Sequence, residues 1–188
     1  MTWIRFIAFG ATYALLSGCI RLPEYPGSWA ARLDLPENDC PDLNGAFSEF
    51  GSARQTTRQP ADTDYVQLTR VVGVSRLTMP AERVVLRVDA EKLTIAAYNG
   101  KQPVGMAEFK KLGNCKGGEF TIGPSDSRMI NDGGMARGTS VRIGLSRSND
   151  GALVLRRFEW SGGRALLLAP VPSVERSWLR FPKIEISE

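Results

Sequence analysis

The chain reads as an all-β protein, and two observations carry that reading. Apolar residues recur with period two in several short runs, as in Val84, Leu86 and Val88 or Val141, Ile143 and Leu145. That is the pattern of a strand with one buried face. Tight-turn residues separate the runs: Asn99-Gly100, Asn149-Asp150-Gly151 and Ser161-Gly162-Gly163 all suit the backbone of hairpin turns. Such strands and turns predict a single antiparallel meander of about eight strands, forming a barrel or a sandwich.

The folded domain is expected over residues 40–188. It opens on Cys40-Pro41-Asp42-Leu43, with Gly45 and Phe47 following; Leu43 and Phe47 would point inward. Gly51 to Asp64 is polar and reads as an exposed loop. Val66, Leu68 and the stretch Arg70 to Val72 suggest a first central strand, ambiguous with a short helix. Val84 to Val88 and Leu93 to Ala97 form a hairpin, and Asn99-Gly100 turns the chain into a strand from Lys101 to Phe109. A short strand is expected from Cys115 to Ile122.

Ser125 to Gly138 reads as a polar loop with Asn131-Asp132-Gly133-Gly134 at its tip. It lacks the repeated acid spacing and closing Glu of a calcium loop, so a turn is expected there. The alternating run from Val141 to Leu145 and the stretch from Ala152 to Trp160 are the next strands. Arg164 to Ala169 follows, where three successive leucines suit a strand covered on both faces, or on one face plus a partner. After Pro170 and Pro172, Val174, Trp178 and Leu179 fall near helical spacing and predict one or two turns of helix. Ile184 and Ile186 would close the sheet as an edge strand.

The N-terminus carries an address. Arg5 is followed by an apolar run from Phe6 to Leu16, interrupted only by Gly10 and Thr12. The run has the size of a signal peptide and falls short of the roughly 20 apolar residues a spanning helix needs. It ends in Leu16-Ser17-Gly18-Cys19, which resembles the lipobox of bacterial lipoproteins. The resemblance implies acylation of Cys19 and cleavage before it, so residues 1–18 are the signal. The competing reading is an ordinary secretory signal with an incidental cysteine. In that family Asp after the modified Cys commonly means inner-membrane retention; here Ile20 follows, which implies the outer membrane, facing the periplasm. The opening of the mature domain, Cys-Pro-x-Leu-x-Gly-x-aromatic, is similar to that of uncharacterised small envelope lipoproteins and implies no activity.

Residues 19–39 contain Pro23, Pro26 and Pro36 and read as a tether, which as a flexible chain would span about 25 Å. Gly27-Ser28-Trp29 is superficially similar to the Gly-x-Trp of lipocalins, but the family's other motifs are missing. Trp29 would suit a membrane interface, its ring being half apolar and half polar.

With Cys19 assigned to lipid, Cys40 and Cys115 remain, and in an oxidising compartment they are expected to pair. Removing the signal leaves 170 residues, a size suited to one domain. The chain has no histidine. This excludes Ser-His-Asp and Cys-His catalysis and any His-ligated zinc. Motifs for a nucleophile elbow or a phosphate-cradling loop are also missing, so no metal, cofactor or nucleic-acid partner is expected.

Charge is uneven. Residues 128–188 hold ten Lys/Arg against six Asp/Glu, while residues 19–127 hold thirteen against fourteen. A basic final third could meet anionic headgroups or an acidic envelope protein. Arg142, Arg147, Arg156 and Arg164 are the candidate contacts, with ordinary surface solubility as the alternative.

These observations point first to a non-enzymatic, membrane-anchored accessory, scaffold or assembly protein. The alternative is a lipocalin-like carrier of a lipid or small apolar ligand, with Phe109, Phe120, Phe158 and Trp160 as candidate cavity lining, although such aromatics are more often simply core. A third expectation, the weakest, is a hydrolase using two carboxylates, with Asp62 and Asp64, or Asp132 and Asp150, as the acids to inspect.

Overall fold

The computed structural model describes residues 24–36, 39–55, 65–74, 77–89, 92–110, 115–132, 135–163 and 173–185. They form β1 (Gly45–Ser48), β2 (Phe50–Gln55), β3 (Tyr65–Gln67), the one-turn helix α1 (Leu68–Val71), β4 (Arg83–Val88), β5 (Lys92–Asn99) and β6 (Gln102–Lys110). There follow β7 (Cys115–Lys116), β8 (Glu119–Asp132), β9 (Met135–Arg147), β10 (Leu153–Gly163), β11 (Ser173–Phe181) and β12 (Lys183–Ile184). The protein is all-β, as expected.

The strands do not make one meander. They divide into a five-stranded sheet, ordered β12-β1-β4-β5-β6, and a seven-stranded sheet, ordered β3-β2-β11-β10-β9-β8-β7. All pairings are antiparallel. The chain changes sheet four times, between β1 and β2, β3 and β4, β6 and β7, and β11 and β12, and the first and last of these places lie side by side. Glu49 separates β1 from β2, Pro182 separates β11 from β12, and Ser48 N–H donates to Pro182 O at 2.9 Å. The described pairings leave β6, β12, β3 and β7 as edges.

One core serves both sheets. Phe47, Leu86 and Ile95 from the five-stranded sheet cluster with Phe120, Leu145, Leu155, Leu179 and Phe181 from the seven-stranded one. Period two explains the selection: in β5 Leu93, Ile95 and Ala97 are fully buried while their neighbours are partly exposed. The Asn99-Gly100 turn is present, with Gly100 at φ 55°, a conformation that costs a residue without Cβ nothing. The Cys40–Cys115 disulfide forms as well, across a sequence separation of 75.

Several expectations need correction. The ambiguous stretch at 66–72 is both strand and helix. β3 runs into α1, whose Leu68 N–H donates to Glu49 O at 2.8 Å. Ser125 to Gly138, expected as a loop, lies within the β8–β9 hairpin, whose register runs on to Asp132 opposite Met135. Backbone pairing needs no apolar alternation, so a polar strand escapes a reading based on hydrophobic period. The helix expected after Ser173 is strand β11: Ser177, Leu179 and Phe181 are buried on one face, and Trp178 is buried on the other. An apolar residue covered on the second face mimics helical spacing.

The fourth correction concerns the tether, because residues 24–36 are docked. Leu33 N–H donates to Arg147 O at 2.9 Å, Asn149 N–H donates to Ala31 O at 2.8 Å, and Arg32 bridges Ser148. Tyr25 meets the Trp178 ring edge-on at 5.3 Å. This strap lies on the outward face of the seven-stranded sheet. The loop expected from Gly51 to Asp64 begins instead as strand β2, with Ser52 to Gln55 paired to β11; its remainder, 56–64, and the strand expected at Arg164 to Ala169 fall outside the described residues.

Candidate functional site

The outward face of the seven-stranded sheet is built from alternate positions of β2, β8, β9, β10 and β11. Register sets Arg142 opposite Phe158 and Phe158 opposite Arg176, so two cations flank one ring across three strands. One step along, Gly144, Arg156, Trp178 and Arg54 form a second row. The two rows enclose a groove of about 360 Å³. Arg176 lies over the Phe158 ring, 4.9 Å from its centre, and Arg32 of the strap lies over Trp178 at 5.4 Å. A guanidinium at such distances is held by the ring's negative face.

Glu119 is the groove's acid. Arg156 Nη2 donates to its Oε1 at 2.6 Å, and Arg32 Nη2 stands 3.7 Å from Oε2. The Glu119 side chain is only 10% exposed, so both pairs are partly shielded from water. Gly144 makes this possible: a Cβ there would overlap the Glu119 carboxylate and its methylene. At the strap end of this face Arg180 pairs with Asp150, which also accepts from Ser148 Oγ at 2.5 Å. The Ser148 hydroxyl, with support from Ala152 N–H and Arg180, holds the Asp150 carboxyl below its ordinary range.

Of the expected contact residues, Arg142 and Arg156 meet in this groove. Arg147 does not. It sits on the inward face opposite Leu153, with its guanidinium 5.2 Å from the Phe47 ring centre and Nη1 donating to Asn44 O at 3.1 Å. Arg147 closes one end of the core. Arg164 and Cys19, the residue expected to carry lipid, lie outside the described residues. Arg176, Trp178, Arg54 and Arg32 were not anticipated. Alternation of Arg176, Trp178 and Arg180 along a strand would have revealed the first two, had that stretch not been read as helical.

A second, partly open cavity of about 780 Å³ lies between the sheets. Val66, Val71, Phe109, Ile122, Val141 and Ile143 line it, joined by Arg70 and by Arg157, which donates to Glu159 Oε2 at 2.5 Å. Of the four aromatics expected around a cavity, only Phe109 serves here. Phe120 is core, Phe158 faces the outer groove, and the Trp160 side chain falls outside the described residues.

Glu49 is the buried carboxylate of the sheet-changing corner. Thr69 Oγ1 donates to its Oε1 at 2.5 Å and Thr69 N–H to Oε2 at 3.3 Å. Burial nevertheless outweighs these bonds and pushes its pKa up. Among the described residues no group of three or more potential metal ligands occurs. The acids proposed for hydrolysis are not brought together: Asp150 is committed to Arg180, and Asp62, Asp64 and the Asp132 side chain lie outside the described residues. In comparisons with known proteins, no family model, no curated protein and no solved structure matches this chain, so the chemistry of its site is argued from its own residues.

Proposed function

We propose that this is a lipid-anchored envelope lipoprotein, held through Cys19 at the outer membrane and facing the periplasm. It acts non-enzymatically, as an accessory, scaffold or assembly protein, through contact with an anionic partner. The observation that carries the reading is the outer groove, where Arg142, Arg156 and Arg176 surround Phe158 and Trp178. Clustered guanidiniums beside aromatic rings are the composition of contact surfaces, since both groups contribute strongly per residue. We take the two sheets as an open sandwich, a reading supported by their shared core and by the edges at β6, β12, β3 and β7.

Photo-crosslinking from position 142 in intact cells tests the contact. An envelope component bearing acidic or phosphate groups is the expected product; capture only of neutral components, equally from a position on the other sheet, would overturn it. Cys19→Ser tests the anchor: the variant should accumulate unprocessed and leave the membrane fraction after extraction at high salt.

The inter-sheet cavity supports a second reading, a carrier of a lipid or small apolar ligand. Its volume falls in the range of about 300–1,000 Å³ typical of ligand pockets. Extraction of the purified protein, followed by mass analysis, should then release a stoichiometric apolar molecule, and Val141→Trp should abolish its retention.

A further inference from the structure

We infer that the outward face of the seven-stranded sheet lies against the membrane that carries the anchor, with its arginines on anionic lipid phosphates. This rests on the anchor at Cys19 and deepens that reading by naming the partner and the face.

The strap supplies the first argument. A free tether of residues 19–39 would let the domain present any side. Instead the chain is docked from residue 24, with Tyr25 on Trp178, Arg32 on Trp178 and Glu119, and Leu33 bonded to Arg147. Only residues 20–23 separate Cys19 from Glu24. Whatever its conformation, that link spans at most about 18 Å. The lipid is therefore attached within about 18 Å of Glu24, beside the Tyr25–Trp178 contact on this face. The five-stranded sheet lies on the far side of the core.

Charge supplies the second. Arg54, Arg142, Arg156 and Arg176 share the face with Glu119, which pairs with Arg156, and with the Arg180–Asp150 pair, so cations outnumber these acids. Attraction between exposed charges and a surface fades beyond a Debye length of about 10 Å at 0.1 M salt. With only four residues between anchor and strap this face stays near that range, whereas a free tether of about 25 Å would hold no particular face there. Trp29, half-buried and edge-on to Tyr25 at 5.9 Å, adds an aromatic of the kind that favours the headgroup layer. On the other sheet the outward residues are fewer in cations: exposed Arg87, Arg83 over the Tyr98 ring and Lys92 paired with Glu108, beside Met106, 63% exposed.

The test uses the lipidated full chain in vesicles of phosphatidylcholine, with or without phosphatidylglycerol, containing a lipid that quenches at the headgroup. A fluorophore is placed on the arginine face (Thr121→Cys) or on the opposite sheet (Met106→Cys). Quenching should be several-fold stronger at position 121 than at 106 in anionic vesicles. The difference should collapse in neutral vesicles and in Arg54→Glu/Arg142→Glu. The milder Arg54→Gln/Arg142→Gln should give an intermediate loss if the reversal disturbs folding. Equal quenching at both positions, on protein whose Cys19 is shown by mass to be lipidated, overturns the orientation and leaves the anchor standing. An unmodified Cys19 overturns both. Equal quenching together with crosslinking of Arg142 to an acidic protein in cells would assign the face to that protein instead.

Discussion

On the five-stranded sheet Lys92 Nζ stands 3.0 Å from Glu108, and both side chains are about two-fifths exposed. On the seven-stranded sheet Arg156 reaches Glu119 at 2.6 Å, and that carboxylate is nine-tenths covered. Both are cross-strand ion pairs on outward faces, yet their surroundings differ. The first is solvated and contributes little, since water and salt screen it. The second lies under the strap, over a glycine that leaves room for it, with Arg32 as a second cation. A segment crossing one face turns an ordinary surface pair into part of a built groove.

The comparison can be broken most severely at the bond between the two halves. Cys40 enters the five-stranded sheet and Cys115 begins the edge strand of the seven-stranded one, so the disulfide ties them. Reduction, or Cys40→Ser with Cys115→Ser, should cost about 4–5 kcal/mol in the chain-entropy account, read as a large fall in the thermal midpoint. Core truncations should next show that the halves share one interior. Ile95→Ala and Leu155→Ala should each lose about 2–5 kcal/mol, by denaturant unfolding in a single transition.

Gly144→Ala sharpens the contrast between the faces. Its methyl must displace Glu119 from Arg156, at about 1–3 kcal/mol for overpacking and lost pairing. Thr94→Ala on the other outward face should stay within about 0.5 kcal/mol.

Glu49→Gln tests the corner where the chain changes sheet. Because burial raises the folded pKa of Glu49, its contribution to stability is fully present below the unfolded value and lost as pH rises through the folded one. Gln should therefore raise the thermal midpoint near neutral pH, by about 2–4 °C per kcal/mol for a chain of this size. The gain should vanish in acid. The smallest effect belongs to Lys92→Gln, which should leave the midpoint where it is.

Much of the strand content was legible in advance, and so was the cysteine pairing once lipid was assigned to Cys19. The site was legible only in part. Arg142 and Arg156 alternate with apolar residues on clean strands, so their outward direction follows from period two. Arg147 shares that alternation with Arg142 only until the β9 register is counted: it is odd-numbered with Ile143 and Leu145 and faces inward over Phe47. Arg176 and Trp178 were hidden because the strap buries Trp178, making both faces of β11 partly apolar. The polar end of the β8–β9 hairpin was hidden because its pairing rests on backbone groups that every residue carries.

What the chain determined by itself was local: where it turns at Asn99-Gly100 and Asn149-Asp150-Gly151, and which residues of each clean strand face the core. Those choices depend on φ preference and side-chain alternation within a few residues. Only the tertiary structure decided that the strands divide between two sheets, with Glu49 and Pro182 at two of the four crossings, and that residues 24–36 fold back over one of them. It also decided that Arg142, Arg156 and Arg176 share one groove. Partner choice between distant strands depends on which surfaces the whole chain can bury together, and no local pattern contains that information.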